Sequence, residues 1–239
     1  MCTVTFVPIS KTHFVLNSNR DESPLRSPQA LYDHREKQLV YPREPYAGGT
    51  WICVSKKGTW VCLLNGAFAK HVRRPPYRRS RGLVVLDFFD YTEVTDFFEY
   101  YDLNHIEPFT IIAWSGLHLY DFRWDGERRY LKELNTQKAH IWSSCPLYSP
   151  KIQAKREQWF ADFLNQQEIV EASQILEFHK HAGDGNKEND LIMERYQGQL
   201  RTVSITTIEQ KETTLSLFYN DLVHEKNDSR TYTILSQEA

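Results

Sequence analysis

Cys2 stands directly behind the initiator Met1. A residue this small lets Met1 be removed, and the chain would then begin with a thiol and a free α-amino group on one residue. Their ordinary pKa values, ~8.5 and ~7.7–8.0, are close enough for the amine to take the thiol's proton near neutral pH. Such a pair can attack an amide carbonyl. A cysteine is also a small apolar residue that often starts a buried strand, so residue type alone leaves both roles open. The next candidate cluster is Asn19-Arg20-Asp21-Glu22. Arg20 could hold a thiolate with its fixed fork of donors, and Asp21 could orient the new amino terminus. Asp21-Glu22-Ser23-Pro24 is equally ordinary turn or helix-cap chemistry.

These residues can form one site only if the chain folds back on itself early. Residues 2–9 (CTVTFVPI) and 12–18 (THFVLNS) are rich in Thr, Val and Phe, and predict two strands joined by a turn around Ser10 and Lys11. A hairpin of this length returns the polar cluster to the neighbourhood of Cys2. Residues 50–55 (TWICVS) and 59–64 (TWVCLL) predict a second hairpin around Lys56-Lys57-Gly58, which delivers Asn65-Gly66 at its end.

Met1-Cys2-Thr3-Val4, Asn19-Arg20-Asp21-Glu22, Gly48-Gly49-Thr50-Trp51, Leu64-Asn65 and Ser80-Arg81-Gly82 stand in the order and approximate spacing of the NRDE family, also called the transport and Golgi organisation protein 2 family, which the chain resembles. Ile141-Trp142-Ser143-Ser144 and Thr202-Val203-Ser204-Ile205-Thr206 resemble later family blocks, so the resemblance covers nearly the whole chain.

The resemblance implies an N-terminal-nucleophile (Ntn) hydrolase-like fold. This is an α+β, four-layer αββα sandwich of two antiparallel sheets between helical layers, here a single domain over residues 1–239. Bile-salt hydrolases, acid amidases and penicillin acyltransferases share that geometry. By the same resemblance Cys2 is the nucleophile, Arg20 and Asp21 stand beside it, and Asn65 contributes to the oxyanion hole. Asn19, Trp51, Arg81 and Ser144 are the candidate substrate-binding residues. Many members carry Asn where this chain has Ser144. If that Asn donates to the oxyanion, its loss removes ~2.7–4 kcal/mol of transition-state stabilisation, although a Ser hydroxyl can donate too. Two functions follow. One is an N-terminal-cysteine amidohydrolase or acyltransferase acting on a linear amide or acyl compound. The other is a non-catalytic carrier in haem trafficking or in lipid and acyl-coenzyme A homeostasis. No cofactor is expected under the first; under the second haem is a candidate ligand, with Cys2 or one of the nine histidines as axial ligand, and Cys145-Pro146 is only a lone dipeptide.

Bulk properties fit one well-buried domain: 239 residues, 41% hydrophobic. A formal net charge of −2 gives no global basic field, so overall charge lends no support to nucleic acid or an anionic membrane as a partner; the expected partner is a small-molecule ligand. Cys2, Cys53, Cys62 and Cys145 lack metal-site or disulfide spacing, and Cys53 and Cys62 read as core thiols of adjacent strands. Residues 1–9 lack a basic leader and no apolar run approaches the ~18 residues of a span, so a cytoplasmic protein without membrane insertion is expected.

The basic run with Lys70, His71, Arg73, Arg74, Arg78, Arg79 and Arg81 is either a solvated loop around Pro75-Pro76 or the wall of a site for an anionic or acyl-bearing ligand. Residues 82–101 predict two short helices broken at Asp90-Tyr91-Thr92. Residues 109–134 predict a three-strand meander, and residues 150–178 two helices divided near Asn165-Gln166-Gln167. Residues 201–208 and 213–219 predict strands, with an edge or frayed segment beyond Ser229. Residues 23–47, 66–81 and 179–198 read as loops. His179, His181 and Asp184 lie in a Gly-rich stretch that lacks the further ligands of a metal site, so no metal is expected.

Overall fold

Alternation along the first hairpin decides the architecture. In the computed structural model, which describes residues 2–234, β1 (Cys2–Ser10) and β2 (His13–Glu22) pair antiparallel. Successive side chains of a strand point to opposite faces. Cys2, Val4, Phe6, Phe14 and Leu16 therefore enter one apolar core, while Val7 and Val15 enter another. Both faces are covered, which is why β1 is buried from Cys2 through Val7.

The chain continues through β3 (Leu31–His34), β4 (Leu39–Pro42), β5 (Ile52–Ser55) and β6 (Trp60–Asn65), then α1 (Arg81–Asp87) and α2 (Val94–Tyr100). The meander is β7 (Phe109–Trp114), β8 (Leu119–Trp124) and β9 (Arg129–Leu134), followed by β10 (His140–Ser143), α3 (Pro150–Asn165) and α4 (Ala172–His181). A short β11 (Glu194–Arg195) leads to β12 (Leu200–Lys211), β13 (Thr214–Asp221) and β14 (Lys226–Thr233). Among the described residues these strands form two seven-stranded sheets, ordered β10-β1-β2-β12-β13-β14 with β11 on β12, and β3-β4-β5-β6-β7-β8-β9. Every pairing is antiparallel.

The inner faces of the two sheets share a core in which Phe6 and Phe14 meet Trp60 and Trp114. Each such buried apolar side chain contributes roughly 1.5–3 kcal/mol. On the outer face of the second sheet, Val84, Val85, Phe88, Phe97 and Phe98 of the α1–α2 region pack on Cys53, Val61 and Ile111. On the outer face of the first, Phe160 of α3 with Ile175 and Phe178 of α4 packs on Val7 and Val15. The layers run helices, sheet, sheet, helices, the expected αββα sandwich.

Two loop expectations are corrected, over 23–47 and over 179–198, and two strands are added to the picture. The 23–47 stretch holds the β3–β4 hairpin, whose four-residue strands are too short to show a period. β10 was likewise missed, being four residues of intermediate burial. α4 runs through His181, so His179 and His181 belong to its last turn and not to a loop. Of the two alternatives beyond Ser229 the edge segment holds: it is the end of β14, which starts at Lys226 and pairs along its length with β13, although its polar KNDSRTYT sequence shows no apolar face. No helix of the described residues is long and apolar enough to cross a membrane.

Candidate functional site

Register places Cys2 directly across from Arg20 in the β1–β2 pair, so both side chains leave the same face of the sheet. Arg20 is 5% exposed. Its guanidinium donates to the Arg26 carbonyl at 2.7 Å and lies 4.1 Å from the centroid of the Trp51 ring on the opposing sheet. Trp51 is carried there by the Gly48-Gly49-Thr50 approach to β5. The Thr50 N–H donates to the Gly82 carbonyl at 2.9 Å, a contact close enough that a Cβ on Gly49 would sit 2.4 Å from the Gly82 carbonyl carbon. The two glycine-bearing motifs therefore interlock backbone to backbone. That contact holds Arg81, at the start of α1, against Glu107 at 3.1 Å and the Pro108 carbonyl at 3.0 Å.

Cys2, Arg20, Trp51, Asn65 and Arg81 all line one cavity of about 440 Å³. Its remaining wall is strongly charged: Arg26, Arg73 and Arg79 alternate with Glu22, Glu44 and Glu107. Arg73, Arg79 and Arg81 come from the basic run, which thus supplies both wall and exposed loop. Arg79 is backed by Asp87, whereas His71, Arg73 and Arg81 converge on the single carboxylate of Glu107.

Asp21 leaves the opposite face of β2, behind the cavity. It is fully buried, accepting from the Tyr148 hydroxyl at 2.6 Å and the Thr202 hydroxyl at 2.7 Å. Burial pushes its carboxyl up, and Arg156, Tyr148 and Thr202 pull it back. Burial likewise pushes the Cys2 thiol up, with Asp21 adding to the shift and Arg20 opposing it. Met1, whose removal would create the nucleophile's amine, lies outside the described residues.

Two expected substrate contacts are not in the cavity. Asn19 is one residue from Arg20 and so points the other way. Its amide nitrogen donates to the His179 and Leu191 carbonyls, both at 2.9 Å, and its oxygen lies 2.7 Å from His179 Nδ1. Ser144 sits behind Asn65: its hydroxyl donates to the Asn65 carbonyl at 2.7 Å and its N–H to the Cys2 carbonyl at 3.0 Å. It lines a separate cavity of about 180 Å³ and ties the backbones of two site residues together. Among the described residues no group of three or more His, Cys, Asp and Glu could hold a metal ion.

Tyr148, Thr202 and Arg156 escaped the sequence reading as site residues. Thr202 did open one of the later family blocks, while Tyr148 and Arg156 carry no spacing signal.

The fold is similar to that of the Caenorhabditis elegans N-acylethanolamine-hydrolyzing acid amidase ortholog, with a TM-score of 0.59 at 15% identity over 87% of this chain and 92% of that one. A mutant of the conjugated bile acid hydrolase from Clostridium perfringens is similar too, with a TM-score of 0.59 at 9% identity over 100% of this chain and 94% of that one. Likeness at such identity shows the Ntn-hydrolase-like fold alone. No curated protein matches the sequence. The family model for Transport and Golgi organisation 2 matches residues 1–238, and the chain belongs to that family.

Proposed function

We propose that the protein is an N-terminal-cysteine amidohydrolase or acyltransferase whose substrate joins an acyl group to an anionic partner. The observation that carries this reading is that Cys2, Arg20 and Asn65 line one cavity together with Arg73, Arg79 and Arg81. A carrier has no evident need of a thiol facing an arginine at the floor of its cavity.

Once Met1 is removed, the α-amine of Cys2 takes the thiol proton and Sγ bonds to the substrate carbonyl carbon. The carbonyl π electrons move to oxygen, and the oxyanion is held by the Asn65 side-chain amide. Collapse breaks the C–N bond, and the α-ammonium returns its proton to the leaving amine. Water, or another amine or alcohol, then attacks the thioester and frees Cys2. Arg20 stabilises the thiolate, and Asp21 holds the amine from behind the sheet. Arg73 and Arg81 are paired with Glu107 and Arg79 with Asp87, but the cavity is lined by five arginines against three glutamates, and this net positive lining suits a carboxylate or phosphate on the substrate.

A ligand carrier using the same cavity is the second reading, favoured by one observation. The Ser144 hydroxyl is already taken by the Asn65 carbonyl and so is not offered to an oxyanion. Intact mass before and after limiting iodoacetamide, with peptide mapping, separates the two. Loss of Met1 with preferential labelling of Cys2 supports the hydrolase, and Cys2→Ala should then abolish turnover of acyl amides in a folded protein. Retained Met1, or a Cys2 no more reactive than Cys53, supports the carrier.

A further inference from the structure

Arg156 is a fully buried cation that, among the described residues, forms no ion pair with Asp or Glu. Its donors go to neutral acceptors: the Thr3 hydroxyl, the Asn189 carbonyl at 3.2 and 3.0 Å, and the Asp190 carbonyl at 2.7 Å. A buried charge left without a counter-charge is costly. Its plane lies over the Tyr148 ring, Cζ 3.6 Å from the centroid, and the hydroxyl of that ring donates to Asp21 at 2.6 Å. A cation on the ring face draws electron density from the phenol and strengthens its O–H as a donor.

We propose that Arg156 is the counter-charge of Asp21, acting through the Tyr148 ring and hydroxyl, and that the two are positioning residues that set how readily the amine and thiol of Cys2 give up their protons. This rests on the reading of Cys2 as an amino-terminal nucleophile. It explains why α3, on the far side of the first sheet from the cavity, sends an arginine into the sheet. The charged and titratable groups around Asp21 and Tyr148 include Cys2 from β1, Arg20 and Glu22 from β2, Arg201 beside Thr202 on β12, Tyr148 after β10, Arg156 on α3, His179 on α4, Asp190 in the following loop and Arg195 on β11. Burial holds His179 neutral, and Arg195 lies over the Tyr148 ring at 5.5 Å, which leaves Arg156, fully buried and 3.6 Å from the centroid, as the nearer cation.

Removing the Tyr148 hydroxyl leaves the Asp21 charge less dispersed, so it bears harder on the amine and on the thiol. Both then lose their protons at higher pH. In the full chain, the rate of Cys2 alkylation by iodoacetamide is followed against pH by mass spectrometry, with Cys53 as internal reference. Tyr148→Phe should move the midpoint upward by about one pH unit, the size of one charge-assisted hydrogen bond. Arg156→Gln should move it the same way, and Arg156→Lys, which keeps the charge but not the planar stack, should return part of the shift. A purely structural role would lower the melting temperature and leave the midpoint in place; a folded Tyr148→Phe, or a folded Arg156→Gln where Tyr148→Phe does not fold, with the wild-type midpoint overturns the proposal alone. A wild-type Cys2 no more reactive than Cys53 overturns the nucleophile reading and this inference with it.

Discussion

The Arg20 guanidinium and the Trp51 ring, 4.1 Å apart, belong to opposing sheets and meet at the wall of the Cys2 cavity. The contact holds the arginine in place from the side, with Nη1 donating to the Arg26 carbonyl at 2.7 Å and Cys2 directly across from it in the strand pair. Lysine would keep the charge and lose both the planar stack and the fork. A cation over a tryptophan ring contributes about 0.5–2 kcal/mol. Arg20→Lys should therefore lower the rate of Cys2 alkylation at neutral pH by roughly tenfold, with Trp51→Leu giving a loss of similar size. A wild-type rate in Arg20→Lys would mean that the arginine fork does not act on the thiol, and one in Trp51→Leu that the stack does not position it.

Asn65 and Ser144 should separate in kinetics although they touch. Asn65 faces the cavity, so Asn65→Ala should cost ~10²–10³ in kcat as the loss of one oxyanion donor does. Ser144→Ala removes one neutral hydrogen bond behind the site, worth about 1 kcal/mol of stability, and should change kcat far less. Steady-state turnover of an acyl amide by the two variants decides the matter. Equal losses would put the Ser144 hydroxyl on the oxyanion after all.

The interlock of Gly49 with Gly82 makes a prediction about folding. A Cβ on Gly49 meets the Gly82 carbonyl carbon at 2.4 Å, its oxygen at 2.7 Å and the Leu83 nitrogen at 2.8 Å, all backbone atoms that cannot rotate away. Gly49→Ala should destabilise the protein by about 3 kcal/mol or more, read as a lowered midpoint in denaturant. Gly82→Ala, whose Cβ would meet Thr50 N and O at 3.1 Å, should cost less.

This interlock also shows how far the sequence is legible. The hairpins, the meander and the paired helices each carry a period or a turn signal, and those elements appear where periodicity places them. The Asn19-Arg20-Asp21-Glu22 cluster reads as one site in sequence, yet strand alternation sends Arg20 to the cavity and Asn19 and Asp21 to the helical face. Tyr148 meets Asp21 from a loop 127 residues further along the chain and Arg156 of α3 stacks on that tyrosine, and no local pattern marks such contacts. β3 and β4 are too short for alternation to stand out.

His179 illustrates the same point and gives the clearest pH dependence. The Asn19 amide nitrogen is committed to two carbonyls, so its oxygen faces His179 Nδ1 and that nitrogen must carry the hydrogen. Nε2 then accepts from the Thr5 hydroxyl at 2.7 Å. Burial, with Arg156 adding to it, pushes the pKa of this imidazole down from 6.5 to about 3. A depressed folded-state value means that the unfolded chain takes up a proton first as pH falls. The stability contributed by neutral His179 is thus present in full above ~6.5 and is lost on the way down toward about 3, at ~1.4 kcal/mol per pH unit. Unfolding free energy measured in denaturant between pH 7 and pH 4 should fall steeply in the wild type. His179→Gln, which can still offer one donor and one acceptor but cannot protonate, should be less stable at pH 7 and show a flatter acid limb. Parallel acid limbs in the two proteins would mean that His179 is already charged in the folded state, and that the Thr5–His179–Asn19 hydrogen-bond assignment is wrong.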